Sequence, residues 1–156
     1  MTRNNQPISY HCISKLMLVK IANTKYSNAA FNLATFILRL GAGSLMIANH
    51  GLTKMTHFGQ RSSGFMDPFH IGSSTTLALV IFSEVFCSGL IVLGLFTRLA
   101  CVPLIFEMIF AFFNVHHMNW RAEQGGGEAS LLFLTCFLTL LFTGPGKVSV
   151  DRLIGK

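Results

Sequence analysis

Hydrophobic positions come in four long runs, Phe31–Asn49, Thr75–Leu95, Leu99–Met118 and Glu128–Gly144, separated by short polar breaks. Each run approaches the ~20 mostly apolar residues that a helix needs to cross a ~30 Å hydrocarbon core. Lipid offers no partner to backbone N–H and C=O groups, so each run is predicted to be helical throughout. The fold class that follows is all-α, a bundle of four transmembrane helices. Only a break around Phe96-Thr97-Arg98 separates the second run from the third. Those two helices are expected to form a tight antiparallel hairpin. The outer connections, His50–Ser74 and Asn119–Gly127, are longer, and long loops tend to carry function.

The pattern divides the chain into a polar segment over residues 1–30, a membrane domain over 31–151 and a short tail over 152–156. A secretory signal would put basic residues directly before a short apolar run and a cleavage site. Here the first run has the length of a full span, so it is expected to be retained. Met1–Leu16 resembles neither helix nor signal and is expected to be poorly ordered, which leaves Met17 as an alternative start.

Composition supports the membrane reading. The chain is 51% hydrophobic and 12% charged, with 15 Phe, against roughly 25% charged residues in soluble domains. Mean hydropathy is +0.55. Four spans put both termini on one side. That side collects Arg3, Lys15, Lys20, Lys25, Arg98, Lys147, Arg152 and Lys156, against Lys54, Arg61 and Arg121 opposite. The excess places both termini in the cytoplasm. The net charge of +6 is thus a topology signal and a grip on the lipid bilayer. A nucleic-acid surface is disfavoured, since no basic cluster is interleaved with aromatics.

Within the runs three ionisable residues stand out. Counted from the outer edges of their runs, Arg39, Glu84 and Glu107 all fall about 15 Å deep, near the bilayer centre. An isolated charge at that depth costs about 2.5–3.5 kcal/mol on insertion scales, so the three are expected to form one buried cluster. Arg39 cannot release its proton and requires a carboxylate. Two carboxyls against one guanidinium leave a charge over, which a shared proton would balance. Such a cluster serves either as a structural tie that fixes helix register, as a proton relay in proton-coupled or quinone chemistry, or in transport or partner binding.

A second polar group, His50, His116, His117 and Glu128, is expected at the outer mouth of the bundle as a cofactor-binding set. Its plainer reading is a set of solvated interfacial residues. Haem ligation by His50 with His116 or His117 would need a cross-bundle geometry and is disfavoured. No metal site is expected, because His57, Asp67 and His70 match no standard ligand spacing. "VLGLFTR" and "GAGS" follow no strand and are not phosphate cradles. Cys12, Cys87, Cys101 and Cys136 contain no CxxC pair, so they read as free apolar cysteines rather than a redox dithiol.

Taken together, "LRLGAGSLMIANHGLTKM" with Arg39, His50, Gly51 and Lys54, "GFMDPFHIG", "SEVFCSGLIVLGLFTRLA" with Glu84 and Arg98, the outer "GGGE" with Glu128, and "LLFTGPGKVSVD" resemble the DoxX family of small four-helix membrane proteins. The resemblance runs from about Phe31 to Asp151 and touches every span. That family takes its name from a subunit of an archaeal thiosulfate:quinone oxidoreductase, also described with a terminal quinol oxidase. The resemblance implies a bacterial inner-membrane protein, a membrane subunit or accessory of an oxidoreductase in quinone-linked sulfur or redox-stress chemistry. A quinone is the cofactor it suggests, with a soluble or membrane redox partner and self-association both open. It assigns no catalytic role to a single residue. A non-enzymatic scaffold or a small proton-coupled transporter is the alternative.

Overall fold

The computed structural model describes residues 27–119 and 126–155. The polar N-terminal segment with Cys12 and Met17 lies outside them, as does Arg121. Among the described residues every regular element is helical. In chain order these are α1 (Asn28–Thr56), α2 (Phe58–Arg61), α3 (Ser73–Leu93), α4 (Thr97–Val115), α5 (Glu128–Thr143) and α6 (Val150–Leu153). α1, α3 and α4 are long and apolar enough to span a membrane, while α5, at 16 residues, is shorter.

α1 is longer than its hydropathy suggested. The apolar run ends at Asn49, yet the helix continues through His50, Gly51 and Lys54 to Thr56. Three π turns, with backbone bonds one residue longer than in an α-helix, interrupt the bundle at Ile47–Gly51 in α1, Phe82–Cys87 in α3 and Ala111–Val115 at the end of α4. One inserted residue shifts the following side chains about 100° around the axis. The π turns of α1 and α3 pack against each other.

The interior holds Ala42 and Met46 from α1, Cys87 and Ile91 from α3, Ala100, Cys101, Leu104 and Met108 from α4, and Phe137 and Leu140 from α5. Leu99, Phe106, Leu132 and Phe142 face outward, at 59–76% exposure. Both sides of the bundle are apolar, so close packing decides which face turns inward. Two glycines let α1 approach α3. A Cβ on Gly43 would fall 2.6 Å from Val92 Cγ2 and 3.1 Å from the Ser88 carbonyl oxygen. A Cβ on Gly51 would fall 2.6 Å from Val85 Cγ2 and 3.3 Å from Glu84 Cβ.

At the other end of α3, Gly94 ends the helix in the left-handed region at φ 71°, and Phe96 follows at φ 48°. Asp151, from the C-terminal segment, caps the next helix. Its carboxylate accepts from the backbone N–H groups of Phe96 (2.9 Å) and Thr97 (3.3 Å) at the start of α4. The same segment is tied to α1 by the Lys147 N–H, which donates to Asn32 Oδ1 at 2.8 Å. The end of α5 and the start of α1 therefore lie at the same end of the bundle.

Candidate functional site

The site begins where the π turns of α1 and α3 meet. Glu84 and Ser83 occupy the turn in α3, and His50 and Gly51 the turn in α1. Because Gly51 has no side chain, the α1 backbone lies directly against Glu84. Lys54 is three residues further along α1. Side chains on a helix lean toward its N-terminus, so the Lys54 stem runs back into the bundle. Its ammonium forms an ion pair with Glu84 Oε1. Glu84 is 1% exposed and the Lys54 side chain 19%, so this pair is buried at the acid and half-open at the base.

From α4, Glu107 completes the group. Its Oε2 accepts from the Ser83 hydroxyl, and its carboxyl interacts with Glu84 and Lys54. One ammonium thus faces two carboxyls, and the group is balanced when the carboxyls hold one proton between them. The His50 imidazole stands within range of both the Glu84 and Lys54 charges. Its ring packs edge-on against Phe133 of α5, with centroids 5.6 Å apart.

Lys54, Ser83 and Glu107 form the polar end of a cavity of about 420 Å³ between α3 and α4. Apart from Thr76 its remaining walls are apolar, including Leu79, Phe82, Pro103 and Phe106. A second cleft of about 380 Å³ continues along the same two helices and shares Phe82 and Pro103 with the first. The connection between α2 and α3 covers the cavity, with the Phe69 ring 6.2 Å from Phe106 and 6.1 Å from Phe110.

Asp67 fixes that cover. Its carboxylate accepts from the N–H groups of Ile71 (3.1 Å) and Gly72 (2.8 Å) and from the Thr76 hydroxyl (3.0 Å). Partial desolvation pushes the Asp67 carboxyl up, but the Gly72, Thr76 and Ile71 bonds and the neighbouring His70 outweigh it, and the net shift is downward.

Arg39 does not join this group, which corrects the expected Arg39–Glu84–Glu107 cluster. Its guanidinium donates to the Val148 carbonyl, lies against Gly94 and interacts with Asp151. The depth count placed it wrongly because α1 runs on to Thr56, so Arg39 is about 26 Å from the helix end, whereas Glu84 is about 16 Å from the start of α3. The N-terminal lean of helical side chains then carries the guanidinium further from Glu84. Of the outer polar group, His50 lies beside Glu84 and Lys54 and packs on α5, the helix that begins with Glu128, while His117 and Glu128 are exposed and His116, just beyond α4, is half-buried.

Sequence reasoning missed Lys54 and Ser83 as partners of the carboxyls. Lys54 was assigned to a loop because hydropathy falls after Asn49. The stripe Arg39, Gly43, Met46 and His50, extended by one further turn, reaches Lys54.

An all-helical membrane protein with paired internal carboxyls beside an apolar cavity is the class that this architecture defines. The DoxX family pattern matches residues 34–117, and the chain belongs to the DoxX family. It is 31% identical over 134 residues to Rv3486, an uncharacterized membrane protein of Mycobacterium tuberculosis, covering 76% of this chain and 80% of that one. It is also 36% identical over 77 residues to an uncharacterized protein of Haemophilus influenzae, covering 47% of this chain and 58% of the relative. No solved structure matches significantly.

Proposed function

We propose that this chain binds a lipophilic hydrogen carrier of the quinone class between α3 and α4, as a membrane component of an oxidoreductase system. In this reading residues 31–151 form a four-span domain of a bacterial inner membrane, with both termini cytoplasmic. The observation that carries the proposal is the cavity of about 420 Å³, apolar except for Thr76 and the end lined by Lys54, Ser83 and Glu107. Its volume lies within the range of small-molecule sites, and a few convergent polar groups at one end suit an amphipathic ligand. Outward-facing Leu79 and Phe106 on its walls, 56% and 59% exposed, suit entry from the bilayer.

The residues fit a quinone head. Lys54, with three N–H bonds, can donate to a carbonyl oxygen while it is paired with Glu84, and Glu107, held by the Ser83 hydroxyl, can give or take a proton beside it. The ammonium offsets negative charge that develops on a bound oxygen. The quinone would supply the two-electron, two-proton chemistry. The chain would supply orientation, a dry aromatic wall and one mobile proton shared by Glu84 and Glu107.

Equilibrium dialysis against menadione tests this reading. Saturable binding is expected, weakened about tenfold or more in Lys54→Met and Glu107→Gln, a loss of about 1.4 kcal/mol. Absence of saturable binding by a folded wild-type protein would defeat the proposal. Loss of folded protein in Glu84→Gln, together with that absence, would favour the scaffold reading, in which the Lys54–Glu84 pair only fixes helix register.

A further inference from the structure

We propose that the seam between α1 and α3 holds a file of buried water that carries protons between Glu84 and the end of the bundle where the C-terminal segment docks. Among the described residues, five buried side-chain atoms have no hydrogen-bond partner: Glu84 Oε2, Ser88 Oγ, Arg39 Nε and Nη1, and Thr97 Oγ1. Their residues are no more than 1% exposed. Buried polar groups in folded proteins are overwhelmingly paired, with protein or with ordered water.

The four residues that carry these atoms follow one order along the helices. Contacts set the antiparallel register: Gly51 lies against Glu84, Gly43 against the Ser88 carbonyl and Val92, and Gly94 against the Arg39 guanidinium. Read along that register, the unpaired atoms come in the order Glu84, Ser88, Arg39, Thr97. Glu84 and Ser88 are one turn apart on α3, and Thr97 lies just beyond the turn that follows Gly94. Three of the atoms belong to Glu84 and Arg39 themselves, Ser88 Oγ lies between those two groups, and Thr97 Oγ1 lies beyond Arg39, so four residues in succession carry buried polar atoms that protein atoms leave unbonded. Buried water resolves this, since each molecule makes about three hydrogen bonds to such groups.

Charged groups stand at both ends of the track. At one end Lys54 and His50 face Glu84 and Glu107. At the other, Asp151 stands beside the Arg39 guanidinium, at an end that also carries Arg98, Lys147 and Arg152. A proton taken from bulk water at the Asp151 end would pass by successive O–H formation and cleavage along the file to the free Glu84 oxygen. The return path is the same steps reversed. This inference rests on the reading of the carboxyl pair as a proton site, but its test needs no ligand.

X-ray hydroxyl-radical footprinting, which oxidises buried side chains next to bound water, compares two buried methionines. Both belong to the interior core, but Met46, at 0% exposure, is on the face of α1 that carries Arg39 and Gly43 toward α3, whereas Met108, at 6%, is on α4. We expect Met46 to be oxidised about fivefold faster than Met108 despite its deeper burial. Ser88→Val, which fills the seam, should bring Met46 down to the Met108 rate, while Ser88→Ala, which keeps the space, should not. Should Ser88→Val fail to fold, the wild-type ratio decides alone. A Met46 rate no higher than that of Met108 overturns the water file. Infrared hydrogen–deuterium exchange of the protonated carboxyl band tests the proton path, and Ser88→Val should slow it about tenfold. An unchanged exchange rate overturns the path. Failure of menadione binding leaves both outcomes intact and strikes only the ligand reading.

Discussion

The α1–α3 seam carries a cation near each end, fully buried at Arg39 and half-buried at Lys54, and the two are held in opposite ways. Arg39 sits among backbone groups: the Val148 carbonyl, the Gly94 turn and the segment that delivers Asp151 to the start of α4. Lys54 sits among side chains, against Glu84 and beside Glu107, at the wall of a cavity. A cation fixed by backbone joins parts of the chain that would otherwise separate. A cation fixed by carboxyls beside open space can exchange partners when a ligand or a proton arrives. Burial of charge alone does not distinguish structure from function, whereas the identity of the partners does.

Were the two ends equivalent, Arg39→Ala and Lys54→Met would destabilise the protein alike. We expect Arg39→Ala to cost about 3 kcal/mol or more, because it empties a fully buried site and releases the docked segment. Thermal unfolding in detergent should show little folded protein.

Gly94→Val should rank next, at about 1–3 kcal/mol, because a β-branched residue would be held at φ 71° with its Cβ driven into the Arg39 guanidinium. A melting curve indistinguishable from wild type would contradict the placement of Arg39.

Lys54→Met should cost less than Arg39→Ala, since the Lys54 side chain is 19% exposed and its replacement by Met empties no fully buried site. Its effect should appear in ligand binding. Gly51→Ala, which pushes Val85 and Glu84 away from α1, should likewise lower menadione affinity more than stability. A large stability loss with unchanged binding would make the Lys54 end a tie like the Arg39 end.

The smallest effect concerns the cover of the cavity and depends on pH. The folded carboxyl of Asp67 lies below its ordinary value, so its contribution is full above the unfolded carboxylate value of about 3.9. It disappears as pH falls through the lower folded value. Limited proteolysis between α2 and α3 should therefore proceed faster in Asp67→Asn than in wild type near neutrality, and the two should converge in acid. A difference that grows on acidification would exclude this clamp.

Glu84 and Glu107 are legible in sequence because an ionisable residue in an apolar helix is rare enough to mark itself. Lys54 is concealed by the same logic, since hydropathy cannot see that a helix continues past its last apolar residue. Ser83 is concealed because a hydroxyl in a transmembrane run usually bonds its own helix, and only the arrival of α4 gives it Glu107. The π turns leave no mark in composition, yet they decide which face of α1 and α3 carries the site.

The amino-acid sequence by itself determined the all-helical character, the membrane-spanning length of three helices, the family and the presence of buried carboxyls. These follow from the cost of placing polar groups in hydrocarbon, which acts residue by residue and is therefore written along the chain. Which cation meets which carboxylate was decided only by the tertiary structure. Pairing depends on helix phase, on the direction in which side chains lean, and on the return of the C-terminal segment to Arg39. Each of those relates residues that are far apart in sequence, and no local pattern encodes them.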